Sequence, residues 1–391
     1  MQQAGHGPDE NPPAPPPGDE RLSRLRLLRS RRVGPVSYRR LMEAHGTAAE
    51  ALRVLPDLAA STGMTGYAPC SAEEARAEVR RAKRAGARGL FEGDPGWPGA
   101  LRGIEGAPPF LWCRGDVSLL ARPCVALVGA RGASSLGLRM ARRLAADLSE
   151  AGFAVVSGLA RGVDAAAHEG ALAGGTVAVT AGGCDVPYPP ETEGLMGRIA
   201  ERGLVVSEQP MGLHPRARHF PARNRIVSAL CRGVVVIEAA ARSGTLITAR
   251  CALDQGREVL AVPGHPFDGR ASGCNLLIRD GARLVRGAED VIEVLGDPAA
   301  GAVRPVPGAA SAPGPRPEPR PEPRPLPDPP PVPASAGLAA RVLSLLGPSP
   351  SAEDQIIRDV GEPAAQVAAA LTDLEMDGRV ERRPGGLLAL T

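Results

Sequence analysis

An α/β chain built on a doubly wound parallel sheet follows from three features of the 391-residue sequence. Six short apolar runs have strand length, at 125–129, 154–158, 176–180, 204–207, 233–237 and 259–262. Helix-period stretches lie between several of them, at 135–151, 163–173, 191–202 and 245–255, each closed or followed by a glycine. Turns of small residues join strand to helix. Strands alternating with helices require crossover connections, hence parallel pairing with helices on both faces. The sheet is expected from about residue 89 to 296, between an N-terminal helical module and a C-terminal winged helix.

The flanks read differently. Residues 1–20 are polar, acidic and Pro-rich, a disordered tail with no signal-peptide pattern. In 21–88, Leu22, Leu25, Leu28, Leu41, Ala51, Leu52 and Leu55 recur at helical spacing, and a polar helix follows over 71–87. The turn Val33-Gly34-Pro35 fits a helix-hairpin-helix. Eight Arg between Arg21 and Arg40 make either a solvated basic face or a nucleic-acid contact, and both readings stay open. Residues 297–335 carry a Pro-Arg-Pro-Glu repeat that cannot bury a core, a polyproline linker. In 336–391, helices at 339–346, 352–360 and 363–376 precede a hairpin, the winged-helix pattern. Its five Arg oppose eight acids, so it suits protein contact better than DNA.

Composition removes whole classes of chemistry. Lys83 is the only lysine and lies in a charged stretch, which argues against a Walker A loop and a pyridoxal phosphate site. Seven Cys form no C-x-x-C pair, so neither zinc nor a disulfide framework is expected, and a reducing cytoplasm fits. Apolar runs are too short to span a membrane, and a soluble protein is expected.

Ligands of open parallel sheets bind beyond the carboxyl ends of the strands. The first exit, Gly129-Ala130-Arg131, opens a helix and offers amides and a positive dipole end to an anion. The second, Ser157-Gly158-Leu159-Ala160-Arg161, adds more amides and a second Arg. Asp164 and His168 then share a helical face, as a metal pair or as an acid with a local hydrogen bond. Gly182 and Gly183 follow the third strand, where Cys184 lacks any sequence-local base. After the fourth strand, Arg216, Arg218, Arg223 and Arg225 surround Phe220 and Asn224 without an acid, a pattern for neutralising phosphates around one stacked base. With ten aromatic residues in the chain, electrostatics must carry the affinity, which is expected to fall steeply with salt. The fifth exit carries Arg242, Ser243 and Gly244 at a helix start. No exit offers paired carboxylates, an activated nucleophile or a metal cluster, so no catalytic residue, cofactor or metal is expected. The G-x-G-x-x-G dinucleotide pattern and its ribose acid are both missing.

Taken in order, these motifs resemble the DNA-processing protein A family, also called Smf. The loop 129–131 is similar to its G-S-R, 157–164 to its S-G-x-A-x-G-[IV]-D, and 220–226 to its F-P-x-R-N-R-I. Residues 238–248 resemble E-A-x-x-x-S-G-[ST]-L-I-T, and 257–264 resemble R-E-V-x-A-V-P-G. The resemblance implies an extended Rossmann-like domain that binds single-stranded DNA, dimerises and helps load RecA recombinase in natural transformation, without being an enzyme. By motif it places Arg131, Ser157, Gly158, Gly183, Phe220, Arg223, Asn224, Ser243 and Gly244 at the strand-binding pocket. Ala130, Leu136 and Ala217 depart from the family pattern. Two rivals stand beside it. A phosphoribohydrolase-like enzyme of a related fold would need P-G-G-x-G-T-x-x-E, whose Pro-Gly-Gly and Glu are missing around Ser243-Gly244-Thr245. A scaffold acting through the linker and winged helix would leave the Arg-rich exits unexplained.

Overall fold

The structure is a computed structural model that describes residues 17–104, 106–298, 337–346, 351–383 and 387–390. It comprises two compact units, 1–263 with 273–302, and 264–272 with 303–391. In the first unit the strands are β1 (Ala87–Phe91), β2 (Phe110–Gly115), β3 (Cys124–Val128), β4 (Ala154–Ser157), β5 (Thr176–Val179), β6 (Leu204–Ser207), β7 (Gly233–Val236), β8 (Glu258–Ala261) and β9 (Arg283–Leu284). They form one sheet in the order β1-β2-β6-β5-β4-β3-β7-β8-β9. From β6 to β9 every pairing is parallel, as expected from the alternating pattern. At the other edge β2 pairs antiparallel with both β1 and β6, so the complete sheet is mixed. β1 and β2 are not among the six strands expected from the sequence; Pro108 and Pro109 stand directly before β2 and read as a connection.

Helices α5 (Ser135–Glu150), α6 (Val163–Ala171), α7 (Glu193–Arg202) and α11 (Ala288–Leu295) cover one face, and α8 (His219–Ala229), α9 (Thr245–Asp254) and α10 (Ser272–Arg279) the other. In β3 the strand period of two sends Val125 and Leu127 toward α5 and α6, and Ala126 and Val128 toward α8 and α9. Both sides are therefore apolar, which is why the strand reads as an uninterrupted hydrophobic run. Each fully buried aliphatic side chain of this kind contributes about 1.5–3 kcal/mol.

Helices α1 (Pro17–Arg29), α2 (Pro35–His45) and α3 (Ala48–Ser61) close on Leu27, Tyr38, Leu52 and Leu55, and α4 (Ala72–Arg84) follows. Helix α1 begins inside the segment expected as a tail, whose residues 1–16 lie outside the described ones. Five members of the Arg cluster have partners within the protein. Arg21 pairs with Asp94 (2.8 Å), Arg29 with Glu78 (2.8 Å) and Arg39 with Glu92 (3.1 Å). Arg24 donates to the Tyr38 hydroxyl at 2.8 Å and lies 4.4 Å from the Phe91 ring centre, while Arg26 donates to the Cys70 carbonyl at 3.0 Å. With Leu25, Ala75 and Ala82 packed against Phe91, Phe110 and Trp112, Arg21, Arg24 and Arg39 fasten the module to β1 and the turn that follows it.

In the second unit α12 (Leu338–Leu345), α13 (Glu353–Val360) and α14 (Ala364–Met376) pack through Val342, Ile356, Val367 and Leu371, with a sheet in the order β10 (Ser351–Ala352), β12 (Leu387–Leu390), β11 (Val380–Arg383). This is a winged helix. The expected linker lies outside the described residues, apart from Asp297 and Pro298. Among the described residues no helix is long and apolar enough to cross a membrane.

Candidate nucleic-acid interface

The strand order turns at β3: β4 to β6 lie on one side, β7 to β9 on the other. The crevice between the exits of β3 and β7 is where a doubly wound sheet ordinarily takes its ligand. Here the chain fills it. Glu238, just past β7, accepts the Ser134 amide on Oε2 at 2.9 Å and the Ser134 hydroxyl on Oε1. The same hydroxyl caps α5 by accepting the Gly137 amide at 3.0 Å. Thr245, at the start of α9, donates its hydroxyl to the Gly129 carbonyl at 3.0 Å. Of the amides that follow the first strand, those of Ser134 and Gly137 are thus already engaged. Gly137 leaves room for this contact: a β-carbon there would lie 2.5–2.8 Å from the Glu238 carboxyl atoms and displace them.

The second exit is also closed from within. Asp164 accepts the amides of Gly158 (3.2 Å) and Ala160 (3.4 Å), so its partner is local backbone. His168 instead contacts the Thr176 hydroxyl at 2.7 Å through Nδ1. Among the described residues no group of three His, Cys, Asp or Glu side chains could hold a metal ion. Arg223 is buried beneath this exit and donates to the carbonyls of Gly158 and Val179, the latter at 2.7 Å, and to the Asn224 side chain at 3.1 Å. Gly158 is thus held by Asp164 at its N–H and by Arg223 at its C=O. Burial pushes the Asp164 carboxyl up against the opposing pull of Arg223, and pushes the Arg223 guanidinium down against that of Asp164.

The open cavity, about 250 Å³, lies to one side of the switch, over the exits of β4, β5 and β6. Arg131, Gly158, Arg161, Gly182, Tyr188 and Phe220 line it, with Glu191 also at its wall. The Arg131 guanidinium stands 5.2 Å from the Phe220 ring centre, and the Tyr188 ring 5.6 Å from it. Arg131, Arg161, Arg216 and Arg218 are exposed, and none has a carboxylate partner among the described residues. Phe220 belongs to α8, a helix absent from the sequence expectation; helix formation turns Phe220 toward the cavity and Arg223 inward.

Other expected site residues are held away from this cavity. Ser157 is buried and donates to the Leu127 carbonyl at 2.6 Å. The Gly183 amide donates to the Leu213 carbonyl at 2.9 Å. Arg225 forms a close ion pair with Glu208, whose carboxyl is pushed up by burial and held down by Arg225. Ser243 receives the Thr245 amide at 3.2 Å, Gly244 caps α9, and exposed Arg242 sits on the same loop, beside the exit of β3. Glycine at these exits chiefly makes room for the protein itself: a methyl group on Gly129 would overlap Val163, and one on Gly158 would overlap Arg223. Cys184 is buried, with its thiol pushed up to about 12. Two residues escaped the sequence reading, Tyr188 and Glu238. Tyr188, an aromatic between two prolines in an aromatic-poor chain, carried a usable signal.

The family described as DNA recombination-mediator protein A matches residues 88–296. The chain belongs to this family. A DprA-like N-terminal HHH domain matches 18–81 and a DprA winged helix domain 325–386. A DNA processing protein DprA from Streptococcus pneumoniae is 45% identical over 201 residues, 51% of this chain and 71% of the relative. Protein Smf of Escherichia coli is 34% identical over 305 residues, 75% of each chain. The X-ray structure of DprA from Streptococcus pneumoniae aligns with TM-score 0.57 at 34% identity, over 70% of this chain and 95% of that one. A structure of DNA processing protein A from Helicobacter pylori, described for its unique single-stranded DNA binding mode, aligns with TM-score 0.50 at 30% identity, over 54% and 95%. Family membership carries a DNA-processing role in recombination.

Proposed function

We propose that the cavity over β4, β5 and β6 binds single-stranded DNA and that the protein passes the bound strand to RecA recombinase. The observation that carries this reading is the pair of exposed, carboxylate-free arginines that line the cavity, Arg131 and Arg161, beside the Tyr188–Phe220 aromatic pair, with Arg216 and Arg218 exposed on the segment that leads into α8. Arginine forks suit phosphate oxygens, and an aromatic face accepts any base. Arg242, on the loop that also carries Ser243 and Gly244, extends the cationic edge past β3. Ser157, Gly129, Gly183, Arg223, Asn224 and Arg225 shape the exits from beneath. The single-stranded DNA binding described for the Helicobacter pylori relative supports the same assignment. A homodimer in the cytoplasm, with a protein-contact role for the acidic winged helix, completes the proposal.

The test is fluorescence anisotropy of a labelled single strand against a duplex control, at several salt concentrations, for wild type and Arg131→Ala. Preferential single-strand binding, weakened by salt and by the substitution, is the expected result. No binding at low salt would overturn the reading and turn attention to nucleotide hydrolysis. Co-precipitation with purified RecA checks the handover separately.

A further inference from the structure

We propose that Glu238 is a specificity-determining residue: it seats the chain's own carboxylate at the strand-order switch and so excludes the phosphate groups of mononucleotides and dinucleotides. The last consequence, that only a polynucleotide is left to bind at the neighbouring cavity, rests on the function proposed above.

Two independent features meet at this point. One is topological, since the β3–β7 crevice is the ligand position of a doubly wound sheet. The other is chemical. A 16-residue helix, α5, ends there with its positive pole, and the anion it faces is Glu238, held by the Ser134 amide at 2.9 Å and by the Ser134 hydroxyl. An incoming phosphate would have to displace that carboxylate or lie beside it, against like charge. Gly137 leaves room for the carboxyl group and no more. Two further polar contacts close the crevice: the Gly129 carbonyl receives the Thr245 hydroxyl, and the Thr245 amide donates to Ser243. Arg131, the cation on this loop, is directed to the Phe220 ring rather than to the helix terminus. The sheet therefore keeps the architecture of a nucleotide site while its phosphate position is filled by a hydrogen-bonded carboxylate of its own chain.

The test follows the backbone amide signals of Ser134 and Gly137 by NMR while inorganic phosphate, and separately AMP, is titrated into the full-length protein. Wild type and Glu238→Gln, which keeps the side-chain volume, are expected to show no saturable shift. Glu238→Ala is expected to show one, together with a melting temperature that rises with phosphate concentration. A saturable shift in wild type overturns the proposal, and so does its absence in a folded Glu238→Ala. If the alanine variant does not fold, Glu238→Ser takes its place under the same criteria. The readout does not involve oligonucleotide, so failure of single-strand binding and failure of this proposal are separable.

Discussion

Arg223 shows how burial changes the meaning of a charged residue. In the sequence it is one of four arginines in a basic run; in the fold it is 6% exposed and shares Gly158 with Asp164. Arg223→Ala is expected to weaken single-strand binding by letting the exit loop move, and to lower stability by about 3–5 kcal/mol, because Asp164 is left buried without its opposing charge. Its salt dependence is expected to keep the wild-type slope. Arg131→Ala should do the reverse, sparing urea stability within about 0.5 kcal/mol and flattening the salt slope by about 0.7, as for the loss of one phosphate contact. Equal slopes for the two variants would contradict this division. His168 makes a pH prediction. Burial, with Arg223 adding to it, lowers its pKa to about 3, so the stability it confers is present above about pH 6.5 and is lost as pH falls toward 3. The unfolding free energy from urea titrations should fall by about 1.4 kcal/mol per pH unit below 6.5, and His168→Gln should remove most of that slope.

Among the elements, the pairing of the β5–α7 connection with α8 creates the aromatic surface. Tyr188 comes from the first and Phe220 from the second, 5.6 Å apart between ring centres. Stacking of one base is worth about 1–3 kcal/mol, so Tyr188→Ala and Phe220→Ala should each weaken binding about 5- to 150-fold in anisotropy titrations, with the salt slope unchanged. Six of the parallel strands, β3 to β8, most of their helices and all three winged-helix helices were legible from periodicity, since each buries apolar residues at its own repeat; β9, two exposed residues, offered no such pattern. Helix α8 was not, because its basic N-terminal half hides the pattern that Ile226, Val227 and Ala229 complete. The β1–β2 edge was missed because flanking prolines and glycines signal a connection as strongly as they bound a hairpin.

For the whole molecule, the distribution of charge matters more than its net value of +3. The cationic edge belongs to the sheet, whereas the winged helix carries more acids than arginines. Removal of residues 336–391 is therefore expected to leave single-strand affinity within about threefold of wild type at moderate salt, roughly the scatter of a surface change. A larger loss would show that the winged helix contributes to DNA binding. The N-terminal arginines make the complementary case. Arg29→Ala, which breaks the half-buried pair with Glu78, should appear first as lower thermal stability and only secondarily in DNA affinity.

Local composition and period determined much of this protein: the alternating strands and helices, the small-residue exits, the absence of a lysine-dependent phosphate site, and the placing of Arg131, Arg161 and Phe220 around one edge. These properties depend on residues close in sequence, so pattern carries them. Only the tertiary structure decided which polar groups were already engaged. Glu238 lies 104 positions from Ser134 and Arg223 lies 65 from Gly158, and a bond across such a separation leaves no periodic trace. Folding turned part of an apparent phosphate-binding surface inward as its own support, and left the remainder exposed because no carboxylate came within reach.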